Sequence, residues 1–151
     1  MVTKSKERRL VIRRARTSDA SRLAELSGQL GYPTTAAEII ERMRKLKAAS
    51  PNALYVAESP DSGVLGWTHV SVTHLLEVGT RAELNGLVIA EGQRSLGAGA
   101  KLLEAAEVWA CKHGCPSMSV RSNVVRERAH NFYLRHGYEH YKTQKAFRKM
   151  L

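Results

Sequence analysis

At 151 residues and 16.8 kDa, the chain is long enough for one self-sufficient core and too short for a two-domain enzyme. A hydrophobic share of 43% with 25% charged residues excludes an intrinsically disordered chain, and no apolar run nears the ~18 residues of a membrane span. Lys plus Arg number 24 against 14 Asp plus Glu, a net +10 that favours an anionic partner: nucleic acid, an anionic surface or a phosphorylated ligand.

The start, MVTKSKERRL, is basic with no apolar stretch behind it, so a secretory signal is not expected there. Lys4, Lys6, Arg8, Arg9, Arg13, Arg14 and Arg16 face only Glu7 and read as a solvated arm leading into a strand at Leu10-Val11-Ile12. Thr17 or Ser18 can cap a helix with Ala20, Leu23, Leu26 and Leu30 on its apolar face, stopped by Gly31-Tyr32-Pro33. A second helix is expected from about Thr35 to Ala48, with Ile39, Met43 and Leu46 on one stripe, broken by Ser50-Pro51-Asn52. Leu54–Ala57 and Val64–Val72, joined through Pro60-Asp61-Ser62-Gly63, read as a β-hairpin.

Glu83–Ile89 follows as a strand, with Leu87-Val88-Ile89 reading as buried on both faces. The strongest helical pattern is Gly97 to His113, with Leu102, Leu103, Ala106, Trp109 and Ala110 in register. Ser117–Arg121 reads as a strand and Arg126–His136 as a helix with Ala129, Phe132, Tyr133 and His136 on one face. Tyr138–Tyr141 and Thr143–Phe147 read as closing strands. The order β α α β β β α β α β β describes a mixed sheet with helices packed on it. Two cysteines form no disulfide framework and fit a reducing, cytoplasmic setting. Aromatic residues are only 6%, so nucleic acid as a partner rests on charge alone.

The most informative stretch runs from Leu87 to Leu103, where a buried strand ends and a turn with Arg94, Gly97 and Gly99 opens a long helix. Glycines let a backbone approach a ligand, and free N–H groups at a helix start favour phosphate or pyrophosphate. Arg94 can add a bidentate contact. The nucleotide P-loop is excluded, since Ala98-Gly99 stand where Lys and Ser/Thr belong. The dinucleotide fingerprint fails as well, because Leu102 occupies the third glycine position. Cys111-x-His113-x-Cys115 offers three ligands with no fourth nearby, so no metal is expected.

Arg94-x-x-Gly97-x-Gly99 resembles the acetyl-CoA pyrophosphate loop of the GNAT acetyltransferase superfamily, Q/R-x-x-G-x-G/A. Ala129-His-Asn-Phe-Tyr133-x-x-x-Gly137-Tyr138 resembles that family's later helix, and Ile12-Arg-Arg-Ala-Arg-Thr-Ser-Asp19 its opening strand and helix start. The resemblance implies an α/β (α+β) fold over one domain, residues 1–151: a mixed, mostly antiparallel central sheet flanked by about four helices. It implies acetyl-CoA as co-substrate and direct transfer of acetyl to a primary amine.

Carried over residue by residue, the resemblance has the backbone of Leu87, Val88 and Ile89 pair with the pantetheine arm. The Val88 N–H would polarise the thioester carbonyl. The N–H groups of Arg94, Ser95, Leu96, Gly97, Ala98, Gly99 and Ala100 would cradle the pyrophosphate. Tyr133 stands where the family places a general acid for the leaving thiolate; its other reading is a core aromatic. Ser95 replaces a glycine often found there. Arg126 stands where many members carry Asn, so Arg126 would contact a CoA phosphate and Asn123 a pantetheine group.

For the general base the candidates are Glu83, His69 or water. Period-two counting puts Glu83 on one face with Asn85 and Leu87; its other reading is a structural acid paired with Arg81 or Arg121. Gln29 to Thr34 and Val72–Thr80 would border the acceptor, with Tyr32 and Trp67 as an apolar wall, Trp67 reading equally as core. Neither loop carries the acidic cluster that a polycationic acceptor such as an aminoglycoside calls for. A small-molecule amine is the expected acceptor. A protein amine or charged tRNA, a non-catalytic acyl-CoA sensor, and a homodimer stay open, and no membrane partner is expected.

Overall fold

The computed structural model describes residues 9–49 and 51–151; the first part of the basic arm, with Lys4, Lys6, Glu7 and Arg8, lies outside the described residues, as does Ser50. Contacts group the chain into two units, Met1–Arg121 and Ser122–Leu151. No helix among the described residues is long and apolar enough to cross a membrane.

The first unit holds β1 (Val11–Arg14), α1 (Ala20–Gln29), α2 (Ala36–Lys47), β2 (Asn52–Ser59), β3 (Gly63–Leu75), β4 (Gly79–Ile89), α3 (Ala98–Lys112) and β5 (Met118–Val120). The sheet order is β1-β2-β3-β4-β5, antiparallel throughout except for a parallel β4–β5 pair. α1 starts without a Thr17 or Ser18 cap, contrary to expectation: both lie in a short 3₁₀ turn ending at Asp19. Asp19 itself supplies the order. Its carboxylate accepts from the Arg16 N–H at 2.8 Å and from both terminal nitrogens of Arg13 at 2.9 Å, while Arg13 Nε donates to Glu58 at 2.7 Å. Thr35 is the N-cap of α2, its hydroxyl accepting from the Glu38 N–H at 3.2 Å and donating to the Glu38 carboxylate at 3.1 Å.

Two cores sandwich the sheet. On one face Leu23 and Leu26 of α1 and Met43 of α2 pack on Val56, Val64, Val88 and Ala90. On the other, Ala98 and Leu102 of α3 pack on Ala57 and Leu65, with Leu87 and Ile89 at the margin. Leu26, Leu65 and Leu102 are fully buried, each worth about 2 kcal/mol of transfer free energy. Alternate residues of β4 thus serve opposite cores, as the expected two-sided burial requires.

The second unit contains one helix, α4 (Glu127–Arg135). An Asx turn precedes it, Asn123 Oδ1 accepting from the Val125 N–H at 3.1 Å. The expected strands at Tyr138–Tyr141 and Thr143–Phe147 are not formed: Tyr138–Leu151 has neither helix nor strand. Alternating side chains specify a face and do not by themselves make a strand, and here Tyr141, Phe147, Met150 and Leu151 all stand exposed.

Candidate active site

Among the described residues, β5 pairs only with Ala82, Glu83 and Leu84. From Asn85 to Ile89, no strand lies on that side of β4 among the described residues, so the sheet forks there. On the β3 side the register slips: His69 opposes Gly86 and Val70 opposes Leu84, leaving Asn85 as an unopposed bulge residue. Sequence counting could not see this slip. Because of it Glu83 shares its face with Asn85 and Val88, and Leu87 turns to the opposite core, a correction to the period-two expectation.

The same alternation corrects the expected oxyanion donor. Ala90 N–H donates to Leu65 O at 2.7 Å across the β3 ladder, and Val88 O lies so close to β3 that a Cβ on Gly66 would sit 2.6 Å from it. Backbone groups two residues apart point the same way along a strand, so the Val88 amide is aimed at β3. The N–H groups that face the open edge belong to Leu87 and Ile89. An extended ligand carrying amides suits such an edge, as an added strand would.

The strand leads, through a turn at residues 90–93, to the glycine turn. Arg94–Leu96 form a 3₁₀ turn, and Gly97 adopts φ 76°, a left-handed conformation that a side chain would strain. Lys101 N–H is bonded back to Gly97 O at 3.2 Å, so the N–H groups of Ala98, Gly99 and Ala100 precede the helical ladder. Leu96 and Ala98 bury their side chains and pin the turn to the core, so they offer a ligand only their backbone. Arg94 is exposed, and Gln29 Oε1 accepts from the Glu91 N–H at 3.2 Å, tying the turn to the end of α1. A helix dipole and N–H groups placed in this way suit an anion.

Below the fork, Asn52, Ser71, Glu83 and Ser119 oppose one another in a row across β2, β3, β4 and β5. Glu83 is buried, with Oε1 3.3 Å from Arg121 Nε and Oε2 3.8 Å from Arg81 Nε. Both arginines named from the sequence therefore hold it. His69, half-buried on β3, sits with Nε2 3.4 Å from Asn52 Oδ1, and Asn52 Nδ2 donates to Leu46 O at 2.8 Å. The Leu46 carbonyl fixes the amide's orientation, and the amide oxygen in turn favours the proton on Nε2, leaving Nδ1 as the basic nitrogen. Burial lowers the His69 pKa from its ordinary value, so the ring is neutral at pH 7. No signal in the sequence marked Asn52.

Trp67 packs on the α1/α2 core, and its ring lies over Gly86, where a Cβ would meet two ring carbons at 2.7 Å. Tyr32 is exposed. In the second unit Tyr133 is half-buried, edge-on to Phe132 and Tyr138. Burial pushes its phenol up to about 12, with Arg126 pulling the other way. Asn123 Oδ1 is taken by the Asx turn, and Arg126 is exposed. Cys111 is exposed, Cys115 is buried, and His113 stacks on Trp109.

The sheet forks beside a bulge, and a glycine turn and long helix follow the forked strand. The profile of the Acetyltransferase (GNAT) family matches residues 18–138, and the chain belongs to that family. It is an N-acetyltransferase. Over 108 residues it is 30% identical to the aminoglycoside N(6')-acetyltransferase type 1 of Klebsiella aerogenes, covering 70% of this chain and 71% of that protein. An aminoglycoside N-acetyltransferase solved in complex with CoA shares the fold with a TM-score of 0.82 at 18% identity, over 94% of this chain and 95% of that one. The glucosamine-6-phosphate N-acetyltransferase of Arabidopsis thaliana does so with a TM-score of 0.77 at 20% identity, over 92% and 97%.

Proposed function

We propose that the chain transfers acetyl from acetyl-CoA to the primary amine of a small molecule by direct attack on the thioester. The observation that carries this reading is the open β4 edge leading, through a turn at residues 90–93, to the Gly97 turn. The Leu87 and Ile89 backbones fit the amides of a pantetheine arm, and the N–H groups from Arg94 to Ala100 fit its pyrophosphate. Acetyl-CoA brings an acyl group already activated as a thioester. Leu87 N–H, free of the β3 ladder, is the donor suited to the thioester oxygen as negative charge develops there.

His69 Nδ1 is the group we assign to accept the amine's proton, directly or through a water, because the ring is held neutral and oriented. Glu83, which the family resemblance also offers, has both oxygens facing guanidinium groups and serves better to shape the site's charge. Tyr133 receives the acid role from the match of its helix to the family's motif. A phenol pushed up to about 12 stays protonated at neutral pH and stabilises a leaving thiolate by hydrogen bonding. Asn123 and Arg126 remain assigned to CoA contacts on the same resemblance.

A thiol-release assay over an amine panel tests this reading. Acetyl-CoA-dependent turnover with at least one amine, matched by mass-spectrometric gain of an acetyl group on that amine, is the expected result. Thiol release without any acetylated product means hydrolysis and overturns it.

A further inference from the structure

We propose that the acceptor carries an oxyanion, a carboxylate or phosphate, beside its amine, and that Arg121 at the sheet fork recognises it. This rests on the acetyltransfer reading above and adds the substrate class.

The fork is electropositive. Arg121 directly follows the last residue of β5, at the point where β5 leaves β4. Its Nε approaches Glu83 Oε1 at 3.3 Å, yet its side chain is 79% exposed. The two terminal nitrogens, with their fork of donors, are therefore open to an outside partner. Arg81, two residues before Glu83 on the same face of β4, has its Nε buried without a hydrogen bond, since 3.8 Å from Glu83 Oε2 is an ion pair and no more. Two guanidinium groups thus share one carboxylate, and one positive charge is left over.

Among the described residues of the first unit, no further acid in this row across β2–β5 reverses that balance. The rest of the polar row on this face is Asn52, His69, Ser71, Asn85 and Ser119, uncharged once His69 is neutral. The α1–α2 connection, residues 30–35, has no acid, and the β3–β4 connection has only Glu77. An ammonium-rich acceptor would need carboxylates free to pair with it, and the buried one here is already taken. An oxyanion, by contrast, meets a guanidinium whose planar donors match it in pairs. The relatives named for aminoglycosides therefore share this chain's fold and chemistry while the fork sets a different acceptor class.

The test is kcat/KM for matched amines with and without the anion: O-phosphoethanolamine against ethanolamine, glycine and longer amino acids against their amides, and kanamycin as a polycation. Calorimetric binding of acetyl-CoA is measured alongside. The expected result is a preference of at least about tenfold for the anionic member of one or both series. It should fall below about threefold in Arg121→Gln through a raised KM, with acetyl-CoA affinity unchanged, and Arg121→Lys should restore part of it. Inorganic phosphate should compete with the amine in the wild type and lose that effect in Arg121→Gln. Preference within the phosphate pair or within the carboxylate pairs tells the two anion sources apart. Equal or better turnover of neutral amines or kanamycin, no turnover of any anionic amine, or a preference untouched by Arg121→Gln overturns the inference while acetyl-CoA binding persists. Loss of acetyl-CoA binding itself in the wild type would instead sink the acetyltransfer reading on which it rests.

Discussion

Trp67 roofs Gly86: the indole occupies the space a side chain there would need, with two ring carbons 2.7 Å from the Cβ position. Gly86 is also the residue that faces His69 across the bulge, so this contact sets the spacing of β3 and β4 at the fork. Gly86→Ala should cost about 1–3 kcal/mol through overpacking and should shift tryptophan emission as the ring is displaced. Chemical denaturation with fluorescence detection reads both, and an unchanged midpoint would contradict the packing described.

The Arg13–Asp19 pair joins β1 to the start of α1, with side chains only 16% and 9% exposed. Asp19→Asn leaves a buried guanidinium with Glu58 alone and should cost about 3 kcal/mol. Hydrogen bonds from Arg13 and from the Arg16 N–H hold the Asp19 carboxyl below its ordinary pKa. Its contribution is thus complete above the unfolded-state value near 4 and is lost as pH falls through the lower folded-state value. Denaturation curves at pH 7 and pH 3 should therefore differ less for Asp19→Asn than for the wild type.

His69 works in the opposite range. Burial lowers its folded-state pKa, so between that value and about 6.5 the unfolded chain binds a proton that the folded chain does not. Stability should fall as pH drops below about 7, and His69→Gln should flatten that slope. Asn52→Leu removes the partner that orients the ring, and its kcat should drop by about tenfold or more while acetyl-CoA affinity holds. A profile identical to the wild type would remove His69 as the base.

Tyr133→Phe separates catalysis from packing, because Phe keeps the edge contacts with Phe132 and Tyr138. Turnover should fall at least about tenfold with acetyl-CoA affinity retained. With the phenol pushed up to about 12, no loss of rate from its ionisation is expected up to about pH 10.

The elements that face a core were legible in the residue pattern. Leu102, Ala106 and Trp109 mark α3 at helical spacing, and Thr35 with Glu38 marks the start of α2. The glycine turn was legible because Gly97 answers a backbone need that no other residue meets as cheaply. What the pattern hid was long-range. The Asn85 bulge depends on how β4 pairs with β3, and it decides that Val88 turns its amide inward and Leu87 outward. Gly86 within a strand was the available hint, since glycine there often marks a bulge or a close approach. Asn52 gains meaning only through His69 and Leu46, partners distant or unmarked in sequence. Tyr138–Leu151 alternates like a strand yet is not one, because alternation specifies a face and not a partner.

Calorimetric titration with acetyl-CoA, set against dephospho-CoA and ATP, tests the central claim most directly. The open β4 edge and the Gly97 cradle call for micromolar binding of acetyl-CoA, weaker binding of ATP, which lacks the pantetheine arm, and a large loss in Gly97→Trp. Binding no tighter than millimolar, or binding indifferent to Gly97→Trp, would contradict it.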